Sequence, residues 1–248
     1  MPVTQAQLYM PRAEGTFRGN AENLFRRLQY SLWGREIRRF VADHPASRLR
    51  IIDVGCGPGF LLRCFARWFH GAELIGVDQS AALLEIAQSR CEGMKPLLGD
   101  ACALPLADGS ADVAFALHVV EHLAQPGEFF AEARRVVRPG GLLVIATPNA
   151  ASLGARIMGR KWIGFSDPTH ISLHRSSYWS EMLDRSGFEI ARQGTTGLSG
   201  IPLLNKMPLG LIHWIPSFLF GYFPWKLGEA YICVATRRPE EEAHANRG

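Results

Sequence analysis

Hydrophobic and polar positions change rhythm at Pro45. Beyond it, short apolar runs alternate with amphipathic stretches, the pattern of successive strand–helix units and a mainly parallel sheet. Arg50 to Val54, Glu73 to Val77, Lys95 to Leu98, Asp112 to Leu117 and Leu142 to Thr147 read as strands. Helical spacing marks Phe60 to Phe69, Ala81 to Ser89 and Glu128 to Val137, the last stopped by Arg138-Pro139-Gly140-Gly141. Two later apolar runs, Phe188 to Arg192 and Ala230 to Thr236, complete an expected seven-stranded sheet of α/β class.

Before Pro45 the pattern is helical throughout. Leu24, Leu28, Leu32, Ile37 and Val41 recur at helix spacing from Asn20 to His44, and Arg26, Arg27, Arg35, Arg38 and Arg39 mostly take the other faces, with a bend near Gly34. This predicts an amphipathic helical extension over 1–44, a main domain over 45–238 and a polar, disordered tail over 239–248. Within the domain, an insert at 197–227 separates the last two strands. From Met207 to Trp225 it holds no Asp, Glu, Lys or Arg, and Trp214, Phe218, Phe220, Tyr222, Phe223 and Trp225 make it aromatic. Pro208, Gly210, Pro216, Gly221 and Pro224 break any spanning helix, so it reads as a lid over an apolar acceptor or as an interfacial membrane patch.

The 248 residues carry a net charge of +4. The excess lies within the first 50 residues, which hold nine Arg against four acids. No broad basic face remains elsewhere, which disfavours nucleic acid and leaves a small-molecule partner or an acidic membrane surface. Five cysteines (Cys56, Cys64, Cys91, Cys102, Cys233) lack CxxC spacing, and no apolar leader run stands in the Arg-containing N-terminal stretch. A reducing cytoplasm is the expected compartment, with peripheral contact to the inner face of a membrane as the alternative.

The chemical signal is the run Ile51-Ile52-Asp53-Val54-Gly55-Cys56-Gly57-Pro58-Gly59-Phe60, an apolar strand entering a glycine turn that opens a helix. Such a turn lets a ligand approach backbone where a Cβ would clash, and helix-terminal amides face whatever binds. Its spacing is GxGxG and not the GxGxxG of dinucleotide folds, which weakens a nicotinamide reading. Asp78 ends the next strand, where a carboxylate can accept from ribose hydroxyls, and Asp100 follows the third strand. Three acids at the carboxyl ends of consecutive strands point to an adenosine-containing ligand, because open α/β sheets bind ligands there.

Asp53-Val54-Gly55-Cys56-Gly57-Pro58-Gly59, Gly76-Val77-Asp78, Gly99-Asp100, Asp112 to Leu123 and Arg138-Pro139-Gly140-Gly141 together resemble the class I S-adenosylmethionine-dependent methyltransferases, over about Arg50 to Arg192. The resemblance implies a Rossmann-like, doubly wound, three-layer α/β/α sheet, mainly parallel, whose last strand is antiparallel. It implies S-adenosylmethionine as cofactor and S-adenosylhomocysteine as product. Asp53, Gly55, Gly57 and Gly59 would hold the methionine part, Asp78 and Gln79 the ribose, and Asp100, Ala101 and Leu117 the surroundings of the adenine and sulfur.

Methyl transfer is an in-line displacement at a sulfonium, so a base is required only where the acceptor must lose a proton. After the fourth strand stand His118, Glu121 and His122, and after the fifth stand Asp167 and His170. His118, His122 and an Asp167-oriented His170 are the candidate catalytic groups. The first stretch is similar to the ubiquinone-biosynthesis O-methyltransferases, whose Glu-x-x-Glu-His run can recruit a divalent metal; His118 replaces the first Glu, and no metal is assigned. The expected function is methylation of a small, partly apolar acceptor at a hydroxyl oxygen, with N- or C-methylation, a lipid-linked substrate at a membrane, or a non-catalytic cofactor-binding role as alternatives.

Overall fold

The computed structural model describes residues 35–42, 48–196 and 226–239. The expectations for 20–34, for most of the 197–227 insert, including 207–225, and for the tail from residue 240 lie outside the described residues. Residues 35–42 are helical; of the apolar stripe read from the sequence Ile37 is buried and Val41 half-buried, and Phe40, outside that stripe, is buried as well.

The strands form a seven-stranded sheet of order β3 (Lys95–Leu98), β2 (Glu73–Asp78), β1 (Arg50–Val54), β4 (Ala111–Leu117), β5 (Val137–Pro148), β7 (Ala230–Arg237), β6 (Phe188–Thr195), in which β7 pairs antiparallel with both β5 and β6. The chain divides into two compact units, one reaching to Ala101 and one beginning at Cys102. In the first, β1 (Arg50–Val54), β2 (Glu73–Asp78) and β3 (Lys95–Leu98) pair in parallel. Helix α1 (Phe60–Trp68) buries Leu61, Leu62 and Phe65, and α2 (Ala81–Arg90) buries Leu83, Leu84 and Ala87. The Ser80 hydroxyl accepts from the Leu83 amide and caps α2. Glu73 is clamped between Arg50 and Lys95 at the start of the sheet.

The second unit contains β4 (Ala111–Leu117), α3 (Pro126–Val136), β5 (Val137–Pro148), α4 (Leu153–Met158), α5 (Ile163–Ser166), α6 (Ser176–Arg185), β6 (Phe188–Thr195) and β7 (Ala230–Arg237). Pro126 opens α3, and Phe129, Phe130, Ala133 and Val136 form its buried stripe. The largest boundary difference from the sequence reading is at the start of β5. Helix α3 ends at Val136, and β5 begins at once at Val137 opposite Ala111, with the next pair being Val113 and Leu142. Arg138 to Gly141 are therefore extra residues bulged out of a continuous strand, with Gly140 at φ 74°, and not a turn ahead of it.

Candidate active site

In the first unit, the chain leaving β1 makes three left-handed glycines in five residues: Gly55 (φ 67°), Gly57 (φ 50°) and Gly59 (φ 76°). The Gly55 and Cys56 amides both donate to the Val77 carbonyl, at 2.8 and 3.0 Å. The Gly57 amide donates to Asp78 Oδ2 at 2.9 Å and the Ser80 amide to Oδ1 at 2.9 Å. Asp78 thus braces the turn while each oxygen retains acceptor capacity for a ligand hydroxyl. The glycines have different reasons. A Cβ on Gly57 would meet nothing within 4 Å, so this position borders open space. A Cβ on Gly59 would stand 2.9 Å from Ala87 Cβ, so this glycine permits α1 to pack against α2.

Asp53 is buried, and its carboxyl is pushed up to about 8 by that burial and by the charge of Asp78. It makes no ion pair among the described residues, so a cationic ligand group here would favour the ionised form of this desolvated carboxyl and displace its proton. Burial, with the charges of Asp53 and Asp78, also pushes up the Cys56 thiol, which rules it out as a thiolate nucleophile near neutral pH. Gln79 and Asp100 are exposed and Ala101 half-buried, following the carboxyl ends of β2 and β3. An adenosyl sulfonium bearing an α-amino acid fits this set: a carboxylate with spare lone pairs, an uncompensated buried carboxyl and backbone that no side chain covers.

In the second unit, Leu117 is half-buried at the carboxyl end of β4, and His118 follows it at φ 57°. His118 is the one non-glycine with positive φ among the described residues, and strain of this kind concentrates at functional sites. Its side chain is 55% exposed, and its Nδ1 lies 3.0 Å from Oε1 of the fully buried Glu121. The Glu121 carboxyl sits below its ordinary value: burial raises it, but the hydrogen bond and charge of His118, a backbone hydrogen bond and the charge of His122 outweigh that. The contact with an ionised Glu121 puts a proton on Nδ1 of His118, so Nε2 is the ring nitrogen left for an acceptor to meet.

The loop after β5 is tied back to this turn, since the Ser172 amide donates to the Glu121 carbonyl at 2.9 Å. It brings His170 beside His122, ring centroids 4.9 Å apart. His122 Nδ1 lies 3.0 Å from the Thr169 carbonyl and His170 Nδ1 2.8 Å from the Gly164 carbonyl; a carbonyl only accepts, so both rings are protonated there. The expected orientation of His170 by Asp167 is not formed. Asp167 Oδ2 is 3.8 Å from His170 Nε2, while Oδ1 accepts from the Thr169 amide and hydroxyl at 2.9 and 2.6 Å. An Asp-Pro-Thr turn satisfies its own carboxylate locally, and this outcompetes the imidazole three residues on. Glu121 is the residue here that the sequence reading did not place among the catalytic groups. His174 stacks on Tyr178 at 3.7 Å and, with Ala150, Ala151 and Arg175, lines a cavity of about 390 Å³.

Residues 52–145 match a family model described as a methyltransferase domain. The chain is 33% identical over 192 residues to a ubiquinone biosynthesis O-methyltransferase of Sinorhizobium medicae, covering 70% of this chain and 76% of that one. The chain belongs to the class I S-adenosylmethionine-dependent methyltransferases. A ubiquinone biosynthesis O-methyltransferase of Azorhizobium caulinodans is 32% identical over 58% of this chain and 63% of its own length. With other curated relatives the methyltransferase spans still less, down to 31% of the relative's length. In fold it is similar to an S-adenosylmethionine-dependent methyltransferase of Thermotoga maritima, described as a possible histamine N-methyltransferase, with TM-score 0.57 and 20% identity over 90% of this chain and 96% of that one. Its cofactor is S-adenosylmethionine, which when bound supplies a methyl group on an electrophilic sulfonium.

Proposed function

We propose that the methyltransferase acts on a hydroxyl oxygen of a small, partly apolar acceptor, with His118 as the general base. The observation that carries this reading is the 3.0 Å contact between His118 Nδ1 and the buried Glu121 carboxylate, on a strained residue at the carboxyl end of β4. Glu121 fixes the tautomer and stabilises the imidazolium that forms once Nε2 takes the acceptor's proton, which is the part a carboxylate plays behind any catalytic histidine. An acceptor that is already a nucleophile would need no such pair.

On the cofactor side, Asp78 accepts from the ribose hydroxyls, Asp53 faces the cationic part of the ligand, Gly57 admits it against the backbone, and Gln79, Asp100 and Ala101 border the adenosine. The relatives named for ubiquinone biosynthesis support an oxygen acceptor, and the exposed Ile157, Ile163, Phe165 and Ile171 support an apolar one. The same stretch favours one second reading. It exposes Arg156, Arg160 and Lys161 beside those apolar side chains and contains no acid between Leu153 and Ser166, which suits peripheral contact with an anionic membrane and a lipid-linked acceptor. Among the described residues no helix is long and apolar enough to cross a membrane.

The deciding experiment incubates the enzyme with methyl-labelled S-adenosylmethionine and fractionated cell extract, then determines the labelled product. An O-methyl product of an apolar phenol or alcohol is expected. A product methylated at nitrogen or carbon would overturn the hydroxyl assignment while leaving the enzyme class intact.

A further inference from the structure

We propose that the cavity of about 390 Å³ at the start of α6 binds a small ring compound that carries both charges, its carboxylate on Arg175 and its ammonium on Glu181. The volume lies within the roughly 300–1,000 Å³ of small-molecule sites. Both charged side chains border the cavity, yet neither makes a hydrogen bond or ion pair among the described residues, with the other or with any neighbour. A lone anion would sit beside the Glu181 carboxylate, and a lone cation beside the Arg175 guanidinium. A ligand bearing both signs satisfies both.

Helix geometry orders the ligand. Arg175, Tyr178 and Glu181 follow at three-residue intervals, which puts them in one row along α6 with the two charged residues about 9 Å apart along its axis. Arg175 stands at the N-cap and no side chain caps the helix there, so the positive end of the helix dipole adds to the guanidinium and favours the anionic end of a ligand at this point. Tyr178 lies between the charges. His174 stacks on it at 3.7 Å and 20°, and meets the fully buried Trp179 edge-on at 5.3 Å, so this aromatic wall is held in place before anything binds. Burial holds the His174 imidazole below its ordinary value, so it adds no third charge near neutral pH.

Backbone ties join the cavity to the turn that carries His118. The Ser172 amide donates to the Glu121 carbonyl at 2.9 Å, and two residues on the His174 carbonyl accepts from the Ala150 amide at 3.1 Å. Leu173, between these ties, and Ala150 both line the cavity. Calling the ligand the methyl acceptor rests on the function proposed above, and narrows that acceptor to a hydroxylated ring with an amino and an acidic substituent. The site itself is read from α6 and does not depend on which atom is methylated.

The test uses the full chain saturated with S-adenosylhomocysteine and the probe para-aminomethylbenzoate, with benzoate and benzylamine as single-charge references, each titrated by ligand-observed NMR. Expected is saturable binding of the probe about 5-fold tighter than either reference, the scale of one exposed charge pair. Arg175→Gln should remove the probe's advantage over benzylamine, and Glu181→Gln its advantage over benzoate. Unchanged affinity for S-adenosylhomocysteine would show that each variant is folded. Charges that only solvate the surface predict no difference among the three compounds. Absence of saturable probe binding, benzoate bound as tightly as the probe, or probe affinity unchanged in both variants would overturn the site. A product methylated at nitrogen or carbon in the extract experiment would instead revise the proposed function and leave these titrations as they stand.

Discussion

Gly57 and Gly71 offer a matched pair for testing the cofactor cradle. Both are left-handed, at φ 50° and 86°, and a Cβ on either would meet nothing within 4 Å. Only Gly57 belongs to the turn braced by Asp78; Gly71 lies in the connection between α1 and β2. An Ala at either position pays the same backbone strain, about 1–2 kcal/mol. For a chain of this size that lowers the melting temperature by about 2–8 °C. Ligand binding separates the two. At 100 times its Kd, S-adenosylhomocysteine stabilises the wild type by about 2.7 kcal/mol, a rise of about 5–11 °C. Gly71→Ala should keep that rise. If the methyl group on Gly57 intrudes on the ligand and weakens binding about 100-fold, the same ligand concentration contributes only about 0.4 kcal/mol, a rise of about 1 °C. Differential scanning fluorimetry with and without ligand reads both quantities in one plate. A Gly57→Ala variant with an undiminished ligand shift would refute the assignment of this turn to the cofactor. Gly59→Ala serves as a third arm: contact with Ala87 at 2.9 Å adds overpacking of about 1–3 kcal/mol, so its ligand-free melting temperature should fall furthest.

The raised Asp53 carboxyl makes binding pH-dependent. A cationic ligand lowers its pKa, so binding releases a proton, and affinity for S-adenosylmethionine should climb as pH rises toward about 8 and then level; calorimetry at pH 7 in buffers of different ionisation enthalpy checks the release. In the ligand-free protein the folded state holds this proton more tightly than the unfolded chain between the ordinary value of 3.8 and about 8, so Asp53's contribution to stability should fall as pH rises through that window, read from denaturant midpoints of wild type and Asp53→Asn. His118→Gln should lower kcat by about 100-fold or more with the Kd for S-adenosylhomocysteine unchanged; unchanged turnover across pH 6 to 9 would leave His118 without a proton to move. Sedimentation with anionic liposomes should be lost at high salt and in Ile163→Ser/Phe165→Ser if the exposed stretch after β5 docks on membranes, and absence of any sedimentation at low salt would exclude that docking.

The sheet was legible because its strands announce themselves locally. Ile51-Ile52 and Leu74-Ile75 are buried on both faces, as near-continuous apolar runs of a parallel sheet must be, and the glycine turn and Asp78 occupy the places that the pattern assigns to them. What sequence spacing could not convey is why a given residue stands where it does. Gly57 and Gly59 look alike in the motif, yet one borders open space and the other is excluded from carrying a side chain by Ala87, 28 positions later. Arg138-Pro139-Gly140-Gly141 has the composition of a turn, but the pairing of Val137 with Ala111 draws it into a bulged strand. The candidate site diverged most where partners are remote. Asp167 and His170 are close in sequence and suggest a pair, but Thr169 takes the carboxylate first. Glu121 and His170 are 49 positions apart and suggest nothing, yet the Ser172 amide on the Glu121 carbonyl brings their segments together. Side chains that act through neighbours in sequence can be read from spacing; a buried carboxylate oxygen facing two histidines, one from another loop, becomes visible only when the backbone ties that place them are known.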